Sequence, residues 1–316
     1  MKIAVLYTGA VRTVKDTIDS FVLNLLHNDV HVFATVQSDD TEYFTQLLQE
    51  KMGDHLKSIT WFDRQDQCWT QMRERLLNSF SIHGVNEDQW KQYLRSSGSM
   101  IEHYQLYLSY LQVVGYETRE KIQYDYILRI RPDVVLTKPI NFSWLNLSDE
   151  EIGSRITRVQ SKTGNPDLRV SLFMNSLLDS TRIDTDLISN ECDIHPDDSI
   201  VRDLLSSSPD CIRKYIRNGR YILTLRNNIM YIVKRSYAYL LPCVGTMYGT
   251  FPLEKDTYWF NAENQFRMAC IHSGLSLFNS TTRLEGDSLY EYDPANYYDE
   301  AGNLKKGGCL FFLRRK

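Results

Sequence analysis

The stretch Ile3-Ala-Val-Leu-Tyr-Thr-Gly-Ala10 is an apolar run that ends in small residues, and it predicts a buried strand feeding a turn. Residues 11–26 follow with apolar side chains at helical spacing, and residues 29–36 form a second strand-like run. Residues 41–51 are again helical in pattern, and residues 58–62 give a third strand. Strands that alternate with helices in this way are typical of βαβ crossovers, which build parallel sheets. We therefore predict an α/β fold.

The remainder of the chain has a less regular pattern. Residues 150–225 are the hardest to interpret, and we expect short strands there with a polar loop at 162–168. The other predicted elements are helices between 67 and 120 with interruptions near Gly84 and Gly98, a strand over 124–131, a strand over 228–233, and helices over 235–241 and 261–273. Because no linker or internal repeat stands out, we predict a single large domain.

Composition narrows the possible function classes. The chain has 316 residues with 36 Lys and Arg against 40 Asp and Glu, a formal net charge of −4 without long like-charge blocks. This balance argues against nucleic acid as the main partner. Aromatic residues make up 12%, led by 20 Tyr, and their flat faces with polar edges suit sugar rings and nucleobases, although most of them are expected to pack in the core.

Cysteine usage and the absence of long apolar runs indicate a reducing, cytosol-like compartment. The six cysteines form no CxxC pair, and the seven histidines form no zinc-like cluster with them. We expect reduced thiols, no disulfide framework and no zinc. No secretory signal and no apolar run of the roughly 20 residues that a membrane span needs is recognisable, so we expect no transmembrane segment and a cytoplasmic location.

The turn after the first predicted strand is a candidate phosphate site. Small residues at Thr8-Gly9-Ala10 would let backbone N–H groups approach a diphosphate, the following helix start adds favourable partial charge, and Arg12 could clamp a phosphate. The turn matches neither GxGxxG nor the P-loop pattern. An ordinary strand-to-helix turn with a surface arginine explains it equally well.

The strand over residues 124–133 carries the most informative pattern. Side chains alternate along a strand, so Ile127, Arg129, Arg131 and Asp133 are expected on one face. Arginines in a buried strand are costly unless they meet anions, and open α/β sheets bind ligands at the carboxyl ends of their strands. A carboxylate at that edge could hold Mg²⁺ or Mn²⁺ beside a sugar-nucleotide diphosphate. A purely structural arginine–carboxylate network is the alternative.

A second candidate segment precedes the last predicted helix. Trp259 and Phe260 stand directly before Asn261, a good N-cap, and Glu263 lies in the first helical turn. Aromatic rings beside a carboxylate describe a site where a sugar stacks while the carboxylate accepts a hydroxyl proton. A capped amphipathic helix with an aromatic cluster is the alternative.

Other carboxylates are weaker candidates. Asp197 and Asp198 follow His195-Pro196, and we assign them to the acceptor side of a site. Asp184-Thr-Asp186 has the DxD spelling, but it lacks a preceding apolar strand, so we give it little weight as a metal site.

These segments together resemble a family of small GT-A-fold glycosyltransferases found in bacteria and large DNA viruses. The landmarks, in chain order, are Tyr-Thr-Gly-Ala-Val-Arg-Thr (7–13), Val-His-Val-Phe-Ala-Thr (30–35), Tyr-Asp-Tyr-Ile-Leu-Arg-Ile-Arg-Pro-Asp (124–133), Asn-Asn-Ile-Met-Tyr-Ile-Val-Lys-Arg (227–235) and Tyr-Trp-Phe-Asn-Ala-Glu-Asn-Gln-Phe (258–266). The resemblance implies a GT-A-like (Rossmann-like), mostly parallel central sheet flanked by helices. It also implies a donor-binding half over 1–140, an acceptor-binding and catalytic half over 141–281, and a C-terminal tail over 282–316.

The resemblance implies transfer of a sugar from a nucleotide-sugar donor to a hydroxyl acceptor. We expect a UDP- or GDP-sugar and a glycan or glycoprotein acceptor, and we favour inversion by a carboxylate base, with a retaining reaction left open. The implied donor-binding residues are Thr8, Gly9, Ala10, Arg12, Arg129 and Arg131. From the residues themselves we assign four residues to the acceptor side, Trp259, Phe260, Asp197 and Asp198, and a catalytic role for the aspartate pair is the alternative. Asp133 is implied as the ligand of a divalent metal, Mn²⁺ or Mg²⁺, and Glu263 as the catalytic base.

Two departures from the family pattern leave alternatives open. The chain has Arg131-Pro-Asp133 followed by valine where many such enzymes have DxD, and Asn227-Asn228 where a carboxylate is often found. A non-catalytic nucleotide-sugar or carbohydrate-binding protein with a decayed site is one alternative. Another transferase of activated donors, such as a sulfotransferase, is a weaker one, because the phosphosulfate loop expected after the first strand is not recognisable.

Overall fold

A seven-stranded sheet with helices on both faces forms the centre of the molecule. The computed structural model describes residues 1–78, 91, 98–136, 139–140, 142–178, 201, 203–226, 229–247, 262–279 and 311–313. The strands are β1 (Ile3–Ala10), β2 (Val30–Gln37), β3 (Leu56–Trp61), β4 (Tyr126–Ile130), β5 (Val134–Leu136), β6 (Tyr221–Arg226), β7 (Met230–Lys234), β8 (Ser276–Asn279) and β9 (Phe311–Leu313).

The helices are α1 (Val14–Leu25), α2 (Thr41–Met52), α3 (Gln67–Asn78), α4 (Gly98–Glu120), α5 (Asp149–Gln160), α6 (Pro166–Asn175), α7 (Pro209–Asn218), α8 (Leu240–Thr246) and α9 (Ala262–His272). Short 3₁₀ turns occur at Gly53–His55, Ser143–Asn146, Leu204–Ser206 and Arg235–Tyr237.

The strand order in the sheet is β3-β2-β1-β4-β7-β6-β8. Strand β7 is antiparallel to both of its neighbours, and the other six strands are parallel to one another. Successive strands are added on one side of β1 up to β3, and β4 then pairs with the other side of β1. Such a reversal is a topological switch point, where the carboxyl ends of the two strands leave a crevice open to ligands. Strands β5 and β9 form a separate antiparallel pair.

The two faces of the sheet bury two hydrophobic layers. On one face Val5 and Leu128 pack in a core that includes α1, and on the other face Leu6 and Ile127 pack with apolar residues of α4, α8 and α9. Full burial of each such side chain contributes about 1.5–3 kcal/mol. The predicted alternation along β4 is confirmed, because Ile127 and Leu128 lie in different layers.

The predicted α/β class and the mostly parallel, Rossmann-like sheet are confirmed. Among the described residues, short strands predicted within 150–225 are found only at the end of the range, where β6 begins. Before it the prediction is wrong for the described residues, which form the three helices α5, α6 and α7, and residues 179–200 lie outside them. The polar loop expected at 162–168 is shorter, because α6 begins at Pro166, and the helix expected over 235–241 is a 3₁₀ turn followed by α8. Helix-capping residues explain why α5 and α6 form where short strands and a longer loop were expected. Ser148 forms a capping box with Glu151, and the Asn165 side chain accepts hydrogen bonds from the N–H groups at 167 and 168.

Two further expectations concern cysteines and membranes. The four cysteines in the described ranges, Cys68, Cys211, Cys243 and Cys270, are free thiols. Within the same ranges, no helix combines the length and the apolar character that crossing a bilayer requires.

Candidate active site

The candidate site lies at the carboxyl ends of β1 and β4, where the strand order reverses. Gly9, near the end of β1, has a φ of +141°, and a Cβ there would lie 3.0 Å from Cδ of Pro132, which follows β4. The Thr17 hydroxyl of α1 donates to the carbonyl oxygen of Pro132 at 2.6 Å. The two segments that the sequence indicated as donor-binding are therefore in direct contact.

Four charged side chains form an alternating chain at this edge. Arg129 is fully buried; its Nε donates to Oγ1 of Thr8 at 3.2 Å, and its Nη2 donates to the Glu102 carboxylate of α4. Arg131 donates from Nε and Nη2 to the two carboxylate oxygens of Asp133 at 2.9 and 2.8 Å. Its Nη1 lies 3.6 Å from Oε1 of Glu102. We call Glu102, Arg129, Arg131 and Asp133 the charge cluster.

The opposite charges within the cluster stabilise one another in their ionised forms. Burial raises the pKa of Glu102, but the guanidinium groups of Arg129 and Arg131 outweigh it and hold that pKa below its usual value. Burial lowers the pKa of Arg131, but Glu102 and Asp133 outweigh it and raise the pKa further above neutrality. Glu102 and Arg131 are therefore charged at neutral pH. Strongly perturbed groups at the switch point of an open α/β sheet are typical of functional sites.

Two buried polar atoms beside the cluster make no hydrogen bond within the described part of the chain. They are Nη1 of Arg129 and the hydroxyl of Tyr231, which is opposite Arg129 on β7. Burial raises the pKa of the Tyr231 hydroxyl, and the positive charge of Arg129 opposes that rise. A buried donor without an acceptor costs about 1–3 kcal/mol, and an ordered water or a bound group can supply the missing partner.

The start of α9 is brought to the same place. Nε2 of His103, on α4, lies 3.3 Å from the carbonyl oxygen of Ala262, so this ring nitrogen donates the hydrogen bond. Glu263 follows in the first turn of α9, where a carboxylate is favoured by the helix dipole. Its charge raises the pKa of Arg131, although less than Glu102 and Asp133 do. Glu263 therefore lies within electrostatic range of the charge cluster.

The remaining sequence-predicted residues divide into two groups. Ala10 and Arg12 are exposed where β1 ends and the chain turns toward α1. Thr8 is buried and accepts the hydrogen bond from Arg129 of the charge cluster. Four predicted acceptor-binding residues lie outside the described residues: Trp259, Phe260, Asp197 and Asp198.

The described residues do not fit a divalent metal ion. Both carboxylate oxygens of Asp133 accept hydrogen bonds from Arg131, and Oε1 of Glu102 accepts from Arg129. No group of three or more His, Cys, Asp or Glu side chains suited to a metal occurs among the residues that the structure covers. A metal ion at Asp133 would have to compete with a bidentate guanidinium.

Sequence reasoning missed Glu102, His103 and Tyr231. The one available signal was an acidic residue and a histidine together in a helix whose neighbours are apolar or aromatic.

No known family model matches the chain, and no similar sequence is found among curated proteins.

Proposed function

We propose that the protein is a glycosyltransferase that moves a sugar from a UDP- or GDP-sugar to a hydroxyl group of a glycan or glycoprotein. The observation that carries the proposal is the charge cluster at the β1–β4 switch point, with Glu263 in electrostatic range of it. The family resemblance of the landmark segments supports the same reading.

Arg131 is the residue best suited to hold the donor phosphates. Its side chain is 19% exposed, whereas that of Arg129 is fully buried beneath it. A planar guanidinium binds two phosphate oxygens at once, and the same contact stabilises the charge that develops on the leaving diphosphate. Exposed Arg12 would add a second contact from the β1 turn. The small residues Thr8, Gly9 and Ala10 would let backbone N–H groups approach the phosphates.

Glu263 would act as the base. The acceptor hydroxyl oxygen bonds to the anomeric carbon of the donor sugar while the bond from that carbon to the diphosphate oxygen breaks. The electron pair of the broken bond stays on the diphosphate, and the hydroxyl proton passes to the Glu263 carboxylate. A single displacement of this kind inverts the configuration at the anomeric carbon.

This mechanism contains no metal step, because the described donor set does not fit one. Guanidinium groups supply the positive charge in its place. The dependence of activity on Mn²⁺ and Mg²⁺ is therefore measured in the assay described next.

The test is a donor panel. The protein is incubated with UDP- and GDP-sugars, with Mn²⁺, with Mg²⁺ or with a chelator, and release of UDP or GDP is measured with and without oligosaccharide acceptors. Release of one nucleotide above background supports the enzyme. Binding of a nucleotide sugar without release or transfer would overturn the proposal in favour of a binding protein.

Two variants then test the residue assignments. Arg131→Gln should raise the donor KM and lower kcat, and Glu263→Gln should lower transfer by roughly 10²–10⁴-fold while UDP or GDP binding persists. Arg119→Gln and Glu120→Gln remove the same charges from exposed positions on α4 and serve as controls. Full turnover by Arg131→Gln and Glu263→Gln would remove both residues from the mechanism.

A further inference from the structure

Glu102 is the one acidic side chain of α4 that, in the described structure, reaches Arg129 of β4 and Arg131 just after that strand. It lies near the start of α4, beside the buried residues Met100 and Tyr104, and only 17% of its side chain is exposed. Burying an ionised carboxylate costs several kcal/mol unless it is paired. Its placement therefore indicates a specific role toward the groups it touches.

The Glu102 carboxylate lies between two positively charged side chains, Arg129 and Arg131, which are two residues apart in the sequence. Its Oε1 accepts a hydrogen bond from Arg129 and lies 3.6 Å from Nη1 of Arg131. Arg131 also has Asp133, but among the described residues Glu102 is the one carboxylate paired with Arg129. Without Glu102, the two guanidiniums would repel each other and Arg129 would be a buried cation with no counter-charge.

The same turn of α4 also holds the start of α9. His103 follows Glu102 directly and donates to the carbonyl oxygen of Ala262, the residue before Glu263. One helical turn thus contacts both the arginines and the helix that carries the candidate base.

We propose that Glu102 is a positioning residue, which orients Arg129 and Arg131 for the phosphates of the nucleotide-sugar donor. This inference rests on the proposed function. It predicts that neutralising Glu102 weakens anion binding, which is the opposite of what the change in net charge alone would cause. Removing a negative charge beside a phosphate site should strengthen anion binding if charge alone matters. Loss of positioning should weaken it, because a misplaced guanidinium no longer meets both phosphate oxygens.

The experiment measures binding of UDP and GDP by calorimetry at fixed ionic strength, together with kcat and KM for donor hydrolysis. Glu102→Gln should weaken nucleotide binding roughly tenfold or more and raise the donor KM, although the site becomes more positive. Glu102→Asp keeps the charge and should recover part of the affinity. Glu120→Gln removes the same charge from an exposed position of the same helix and should leave binding unchanged.

The outcomes separate the two proposals. A wild-type protein that binds neither UDP nor GDP and hydrolyses no donor would overturn the proposed function and this inference with it. A wild-type protein that binds, combined with a folded Glu102→Gln variant of equal or higher affinity, would overturn the positioning role alone. Should Glu102→Gln fail to fold, Glu102→Asp carries the test: a raised donor KM supports positioning, and an unchanged KM contradicts it.

Discussion

Acidification should destabilise the fold through His103, which lies fully buried between the charge cluster and the start of α9. Burial lowers the pKa of His103 from 6.5 to about 4, and the charge of Arg129 acts in the same direction, while Glu102 and the hydrogen bond to Ala262 oppose it. The imidazole is therefore neutral in the folded protein at neutral pH.

The sign and size of the effect follow from proton linkage. An unfolded chain takes up the proton near pH 6.5, whereas the folded chain does not until about pH 4. Between these values the unfolded state binds more protons, so the free energy of unfolding falls as the pH falls. At about 1.4 kcal/mol per pH unit, the full interval removes about 3 kcal/mol. Above pH 6.5 both states are neutral at this position, and His103 causes no pH dependence there.

Urea unfolding of the wild type and His103→Gln, followed by circular dichroism between pH 7.5 and 4.5, measures this contribution. The glutamine amide can still donate to Ala262, so the variant should fold but lose roughly 1–2 kcal/mol at pH 7.5. Its stability should then decline less steeply, and the gap should narrow or reverse by pH 4.5. His27→Gln, at an exposed position, is the matched control. Parallel curves for the wild type and His103→Gln would refute the reasoning.

Two further substitutions test the packing around the sheet. Gly9→Ala should lower the free energy of unfolding by about 1–3 kcal/mol, because its φ of +141° disfavours a side chain and the new methyl group meets Pro132; an unchanged urea midpoint would show that the turn is not held as described. Glu117→Gln should cost about 3 kcal/mol, because it removes the carboxylate that accepts from Nη2 of Arg235 at 2.7 Å and leaves a largely buried cation. A loss below 1 kcal/mol in the same urea assay would mean that water solvates the Arg235 guanidinium.

The N-terminal half of the sheet was predictable because local signals there agree. The runs that become β1 and β2 are apolar and are followed by helical spacing, so periodicity alone defines the elements. The helices α5 and α6 were missed for different reasons. The apolar stripe of α5 is thin, since it buries only Ile152 and Val159, whereas α6 is buried on nearly all sides and therefore shows no one-sided apolar period. Their start signals lie in the capping residues Ser148 and Asn165, which are short patterns that periodicity does not register.

The two arginines of the charge cluster were predictable because they lie close together in one segment of the sequence. Alternation along the strand predicted that Arg129 and Arg131 lie together at a sheet edge, and pairing of β4 with β1 brings Arg129 within hydrogen-bond distance of Thr8. Glu102 is 27 residues away from Arg129 in the chain, and the contact depends on how α4 crosses the sheet. No local pattern encodes that crossing, since it is decided by packing over the whole face.

The exposure of the arginines bears on whether the cluster is a structural network or a ligand site. Buried ion pairs are weak contributors to stability, and well-packed apolar side chains are often equal or better at the same positions. A purely structural network would be expected to bury both arginines. Here Arg129 is fully buried and paired with Glu102, while Arg131, which directly follows the last residue of β4, remains 19% exposed. The outer guanidinium is thus held by carboxylates yet accessible to an incoming anion. Asp133 accepts hydrogen bonds from Nε and Nη2 of Arg131, so a phosphate that binds at Nη1 leaves this pair intact and the buried Asp133 carboxylate keeps its counter-charge.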